Sequence, residues 1–495
     1  MGLIATSGNE LGSSVPVALF VAVLLALATI PIARRLQLND SYRMLARVVI
    51  ASAILHLVFA PVEIYVVDHF YKGVADWIGY DRQGALLASN WRGGHFMLAG
   101  SGVTGIIGNG SVSIANGIVM TIVGPDQLAA FFVFAWLAFV GTVFFYKAFA
   151  VTFPEANRRR YALLVFFFPS ILFWTANVGK EAIMTLALGL TAYSMALILV
   201  RQRKGYALII PGAALALVVR PDELILLVIG FAVAMLLRTR EARHQALHLG
   251  RTLAEFAFVA AALVISTLVT MRFIHAVGGS GLTGALAKET ANNKGVGAGF
   301  GSSSVSYSAN PITFPRDVYN VLFNPLPFTA HSATQLLAAA ENTAIAIVIV
   351  LSFPQLRHLL RAGRERAYVI VMLIYSAAFI YVFAALGNLG LITRERTLLL
   401  PMLLVLMAIP IAPSELDPYS WQSSRLVRIK PSPAGSRPAA RSETLEPHST
   451  TWESAGPAWK VAEWTEDTLP EQVEASYESS TEVWEALRVP WSAQD

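Results

Sequence analysis

Apolar runs close to 20 residues long, separated by short polar joints, dominate the chain from Val15 to about Ile411. Lipid gives a peptide backbone no hydrogen-bond partner outside its own helix, so a crossing needs roughly 20 consecutive, mostly apolar residues. On that scale the pattern predicts eleven transmembrane helices, beginning near Val15, Ala46, Gln127, Ala162, Ala182, Tyr206, Leu224, Leu253, Gln335, Tyr368 and Leu398. The fold class expected is all-α: a polytopic membrane bundle spanning residues 1–413.

Two connections are too long to be simple joints, at about 68–125 and 273–334. Loops of that length are usually functional or unstructured. Within the first, Phe96 to Gly124 is apolar but rich in Gly, Ser and Asn, and reads as an interfacial or re-entrant element. The second opens on a Gly/Ser/Asn run, Gly278 to Ser308, that reads as flexible, and closes on an ordered-looking stretch, Pro315 to Phe328. The first residues lack a basic region ahead of the apolar run, while Arg34 and Arg35 follow it, which favours a retained anchor over a cleaved signal. From about Ser414, Pro, Ser, Thr, Glu and Trp replace Leu and Val. Residues 414–495 are expected to form a disordered cytoplasmic tail, too poor in apolar surface to offset chain entropy.

Composition agrees with the pattern. Hydrophobic residues make up 55% of the 495-residue chain and charged residues only 14%, against about 25% in a typical soluble protein. The formal charge of +5 does not indicate nucleic acid, because residues 441–495 alone carry 12 acidic and 3 basic side chains, leaving a basic membrane part. Its basic joints are Arg34/Arg35 with Arg43 and Arg47, Arg158 to Arg160, Arg201 to Lys204, Arg238 to Arg243, and Arg357 to Arg366. Each follows an odd-numbered predicted span. Cytoplasmic loops carry the Lys/Arg excess, so the N-terminus is expected outside and the C-terminus in the cytoplasm of a multi-pass cell-membrane protein. The absence of cysteine excludes disulfides and thiolate chemistry.

Ionisable groups at the opposite ends of the spans are not explained by topology and suggest a substrate path. Asp68, His69 and Lys72 follow the second span. Lys180 and Glu181, then Arg220, Asp222 and Glu223, then Arg394, Glu395 and Arg396 occupy three short joints, while Arg92 and Arg316 lie in the long loops. Arginine and lysine at a lipid boundary suit a phosphate or pyrophosphate head on a lipid tail. Asp68 is positioned to act as a general base on an acceptor hydroxyl or to help hold a divalent cation, and no metal-ligand motif accompanies it. Within predicted spans, His56, Glu63 and Glu341 read as helix–helix hydrogen-bonding groups. No P-loop, zinc motif, nucleophile elbow or dinucleotide fingerprint is present.

Asp68 to Ala75, AspHisPheTyrLysGlyValAla, resembles the AspXaaXaaTyrXaaXaaXaaAla element in the first outer loop of GT-C type membrane glycosyltransferases. Phe167 to Glu181 is similar to the span, short outer turn and acidic residue that follow in that superfamily, and ValArgPro at Val219 to the next outer turn. Leu322 to Phe328 and the turn from Gly387 to Arg396 resemble bacterial membrane proteins of surface-polysaccharide assembly. The resemblance implies a GT-C-like fold and transfer of a sugar from a polyprenyl-phosphate or pyrophosphate carrier at the extracytoplasmic face. It implies Asp68 at the transfer centre, with Lys180, Arg220, Arg394 and Arg396 facing the lipid-linked phosphate. His69, Arg92, Glu181, Asp222 and Arg316 complete the expected substrate-binding set. Two alternatives stay open: a polymerase joining lipid-linked repeat units, and a transporter or lipid-linked-sugar flippase. Besides polyprenyl-linked sugar and membrane lipid, the six tryptophans of the tail suggest docking to a cytoplasmic protein.

Overall fold

A computed structural model of the chain describes residues 14–241 apart from 71, 72, 74 and 155, scattered positions between 257 and 290, and 311–408 apart from 332 and 360–362. The predicted span near Leu253, the run from 278 to 308 and the tail from 414 onward fall largely or wholly outside these residues. The chain divides into two units, Met1–Asp417 and Pro418–Asp495, and every described residue belongs to the first.

Regular structure among the described residues is helical. The helices are α1 (Val15–Leu38), α2 (Leu45–Phe70), α3 (Asp76–Arg92), α4 (Asn109–Val123), α5 (Gln127–Thr152), α6 (Arg158–Phe167), α7 (Pro169–Trp174), α8 (Lys180–Leu199), α9 (Lys204–Val219), α10 (Pro221–Glu241), α11 (Phe314–Leu322), α12 (Ala333–Leu359), α13 (Gly363–Phe383) and α14 (Leu389–Ala408). Six stretches are long and apolar enough to cross a bilayer: α1, α2, α5, α8, Gln335–Ser352 of α12, and Ala367–Leu386, which runs through α13. Large apolar side chains face outward, such as Leu19, Phe20 and Val23 on α1 and Leu337 and Val350 on α12. A protein with such surfaces is embedded in a membrane.

The remaining predicted spans differ for identifiable reasons. The run from 162 is split into α6 and α7 because Pro169 has no N–H and forces Phe168 out of helical geometry, to φ −67° and ψ 124°. Helix α9 has 16 residues, and its apolar run stops at Arg220. Helix α14 carries Arg394, Glu395 and Arg396 inside its first turns, so the helix begins nine residues before Leu398, the expected start.

Helices α5 and α8 run parallel, Gly141 meeting Gly189 and, further along both, Lys147 lying 4.4 Å from the Tyr193 ring. Helix α9 returns along α8, with Gly205 against Ser194 and Gly212 against Thr191. Small residues let these backbones touch, and contact area replaces a hydrophobic driving force that lipid does not supply. Asp126 joins two helix starts: its carboxylate accepts from Ala129 N at 2.8 Å, capping α5, and from Ser14 N at 2.6 Å, at the entry to α1.

The first long connection holds two helices, α3 and α4, packed as a hairpin. Gly84 lies against Asn116 and Gly117 against Leu87. Ser113 donates to Gln83 at 2.6 Å, and Asn116 donates to Asp81 at 3.3 Å. Burial lifts the Asp81 carboxyl to about 7, with the Asn116 amide opposing the shift and Asp126 adding to it. Native protein then holds more protons than unfolded protein between about pH 4 and 7, so this group's contribution to stability falls as pH rises through that window and levels off above it. An Asp81→Asn variant is expected to show stronger amide protection of α3 and α4 than the parent at pH 8, by up to about 4 kcal/mol, and no difference near pH 4. Hydrogen exchange at the two pH values checks it; equal protection at pH 8 would refute the cause given.

Candidate functional site

The end of the bundle where α2 stops and α8, α10 and α14 start gathers three of the four predicted charged joints into one network. Arg220, in the joint between α9 and α10, is its hub. One guanidinium nitrogen donates to Glu223 at 2.8 Å and to Glu395; the other donates to Glu181 at 2.9 Å and to Glu395 at 2.6 Å. Arg394 donates to the second Glu181 oxygen at 2.9 Å and to Asp76 at 2.7 Å. Glu181 therefore bridges two arginines, and α3, α8, α10 and α14 are tied through side chains up to 318 residues apart in sequence.

Local chain chemistry explains the placement. Glu181 and Glu223 stand in the first turns of α8 and α10, where a helix N-terminus favours negative charge. Pro221 begins α10 and leaves Arg220 in a non-helical conformation at the joint, its backbone N–H bonded back to Ala216 O at 2.7 Å. Gly179 is crowded by the side chains of Asn177 and Glu181, so a larger residue would displace both. Asn177 in turn donates to Glu63 of α2 at 3.0 Å. Glu63 is buried, its second oxygen has no partner among the described residues, and Asp68, Glu181 and Arg394 are near enough for their charges to act on it. The helix–helix role expected of Glu63 is thus met through the turn before α8. His56 instead bonds Ser52 O of its own helix at 2.9 Å.

The other predicted residues sit as follows. Asp68 is exposed in the last turn of α2, with no hydrogen bond or ion pair among the described residues. His69 is exposed beside it, bonded to Tyr65 O at 2.9 Å and stacked on the Tyr65 ring. Lys180 is half-buried at the start of α8, within electrostatic reach of Arg220, Glu395, Glu181 and Asp222. Asp222 is half-buried, with no direct partner among the described residues. Arg92 closes the hairpin, donating to Thr121 O at 2.9 Å. Arg316 is exposed on α11.

Arg396 is fully buried and forms a second, separate node. It donates to Asn342 at 2.5 Å, to Leu322 O at 3.2 Å and to Glu341 at 3.3 Å. Glu341 also accepts from Ser170 at 2.5 Å, and Asn342 donates to Pro325 O at 3.0 Å. These bonds lock the turn after α11 onto α12 and α14. Arg396 is 0% exposed, and its Nε has no hydrogen-bond partner among the described residues.

Acidic groups outnumber basic ones in the main network: Asp76, Glu181, Asp222, Glu223 and Glu395 against Lys180, Arg220 and Arg394. The two arginine forks are already matched to carboxylates, and a phosphate would have to displace one. Glu223 and Glu395 stand in the predicted charged joints, whereas Asp76, Asn177 and Asn342, which complete the contacts, lie outside them. A signal for Glu223 and Glu395 lies in the sequence: each arginine or lysine of the three short joints has a carboxylate within three residues. Among the described residues no three His, Asp or Glu side chains converge to hold a metal ion, so they give a divalent cation no ligand set.

No protein-family model, curated protein or solved structure matches the chain.

Proposed function

We propose that the chain is an integral membrane glycosyltransferase of GT-C type, with eleven spans, its N-terminus outside and its C-terminus cytoplasmic, acting on polyprenyl-linked sugars at the extracytoplasmic face. The reading is carried by one observation: joints far apart in sequence assemble one ionic network at a single end of a membrane bundle, with the exposed carboxylate of Asp68, which has no partner among the described residues, at the same end. An acceptor hydroxyl oxygen attacks the anomeric carbon, the sugar–phosphate C–O bond breaks, the polyprenyl phosphate leaves with the electron pair, and Asp68 takes the hydroxyl proton. Lys180, partly exposed, supplies positive charge for the departing phosphate. Arg220 and Arg394 hold the rim rigid through Glu181.

The polymerase alternative needs arginines free to grip two pyrophosphates. The forks of Arg220 and Arg394 are committed to carboxylates, which favours the Asp68-centred transferase. Removing a general base typically costs 10²–10⁴-fold. An Asp68→Asn variant that inserts and folds is expected to lose sugar transfer by about 10²-fold or more, and its host to accumulate lipid-linked intermediates lacking one sugar. Full activity would sink this reading, and accumulation of single repeat units on deletion would replace it with the polymerase.

A second reading has one specific observation in its favour. The broken helix α6–α7 meets α2, where Ser52 donates to Phe166 O at 3.0 Å, and α2 buries His56 and Glu63; discontinuous helices with buried ionisable groups are a feature of transporters. Unchanged surface polysaccharide in a deletion strain, together with altered small-molecule uptake, is the result that reading requires.

A further inference from the structure

Within the α3–α4 hairpin, α4 turns polar residues toward α3 while also burying Val112 and Met120. Helix α4 buries Ser111, Ser113, Asn116 and Gly117 and presents Ile118 and Ile122 outward, 51% and 76% exposed, with half-buried Ile114 on the same stripe. These isoleucines recur every four residues and form one face. On α3 the outward positions are mainly polar: Asp76, Arg82, Ser89 and Arg92 are exposed. A helix that hides Ser111, Ser113 and Asn116 and shows a stripe of isoleucine beyond its first turn is arranged for an apolar surrounding.

Both ends of α4 lie at the ionic end of the bundle. Gly108 N, just before it, bonds Val218 O at 2.9 Å, two residues from Arg220. Asp126, just after it, caps the membrane-crossing α5 and accepts from Ser14 N at the start of α1. With 15 residues the helix is about 22 Å long, short of a hydrocarbon core of roughly 30 Å, and its two ends are at the same side. It runs across the end of the bundle and does not pass through it.

We infer that α4 is a lipid-docking face: it lies in the leaflet at the ionic end with Ile114, Ile118 and Ile122 among the acyl chains, and α3 covers it on the water side. The occupant is bilayer lipid, because a three-residue turn joins α4 to a membrane-crossing helix, and its buried hydroxyls and amide are spent within the hairpin, Ser113 and Asn116 on α3 and Ser111 on Gly108 O. This inference requires membrane embedding only and stands apart from glycosyl transfer. It also brings lipid chains to within a few residues of Arg220, where a lipid-linked substrate would present its head.

The chain has no cysteine, so single-cysteine variants label cleanly. Ile118→Cys, Ile122→Cys, Arg82→Cys and Ser89→Cys, each in the full chain, would carry an environment-sensitive fluorophore in nanodiscs of phosphatidylethanolamine and phosphatidylglycerol without substrate. Labels at 118 and 122 are expected to emit at shorter wavelength, to lose at least half their intensity to spin-labelled lipid, and to resist aqueous iodide. Labels at 82 and 89 should show the opposite. Iodide quenching at 118 and 122 equal to that at 82 would overturn the proposal, and so would protection from both quenchers, which would mean a protein surface covers α4. A variant that fails to insert is replaced by Ile114→Cys, read in the same way. A transferase that proves inactive in every assay leaves these readings unaffected.

Discussion

Replacing Arg220 with alanine is expected to cost about 3–5 kcal/mol of stability, the range found when one partner of a buried ion pair is removed. The magnitude follows from what remains. Glu395 loses its fork partner on both oxygens, Glu223 loses its cation, and Glu181 keeps only Arg394. Arg220 itself is only 11% exposed, so water does little to screen the orphaned carboxylates. Arg220→Lys restores charge at a single point and cannot supply two parallel donors, so it should recover less than half of the loss. A double variant, Arg220→Ala with Glu395→Gln, should be more stable than Arg220→Ala alone, since it removes one buried charge. Thermal melts of the purified protein in detergent read all three. An Arg220→Ala melt indistinguishable from the parent would mean the network carries no energy and would remove the rigid rim from the proposed site.

The second large effect is expected at Gly189. A Cβ there would sit closer than 3.0 Å to the carbonyl oxygen of Gly141, and one at Gly141 would sit as close to the backbone of Thr185. The obstacle on each side is main chain, which cannot rotate aside as a side chain can. Gly189→Ala should therefore lower the melting temperature clearly. Gly189→Leu, which must push α5 and α8 apart, should cost about 3 kcal/mol or more and leave little monodisperse protein. Gly79 is the control, because an added Cβ there meets nothing within 4 Å. Gly79→Ala should be neutral or slightly stabilising, since alanine favours an exposed helix by up to about 1 kcal/mol. A well-behaved Gly189→Leu protein would show that α5 and α8 are not in backbone contact.

Several features of this protein can be read without coordinates. Long apolar runs mark the membrane helices, and the scarcity of charge makes each charged joint conspicuous. The expectation that Lys180/Glu181, Arg220 to Glu223 and Arg394 to Arg396 would meet at one end rested on the alternating direction of successive helices, and Arg220 does reach both Glu181 and Glu395. Phe96 to Gly124, expected as an interfacial or re-entrant element, consists of a connection followed by the 15-residue helix Asn109–Val123, which is shorter than the six stretches long enough to cross.

Other features could not be read that way. Arg394 and Arg396 are two residues apart, with similar local sequence, and look alike as phosphate ligands. On a helix, residues two apart point in different directions, so Arg394 joins the network around Glu181 while Arg396 is sealed among Asn342, Glu341 and the carbonyl of Leu322. Asp68 and Glu63 lie on one helix, yet one is exposed and the other buried against Asn177. Periodicity along one chain determines where helices form and which lengths suit a bilayer, because those depend on local hydrogen bonding and transfer from water. Which carboxylate neutralises which arginine depends on how helices rotate and touch. That is a property of contacts between distant residues, decided here by glycine faces that let backbones meet and by single charges that find partners only in the assembled bundle.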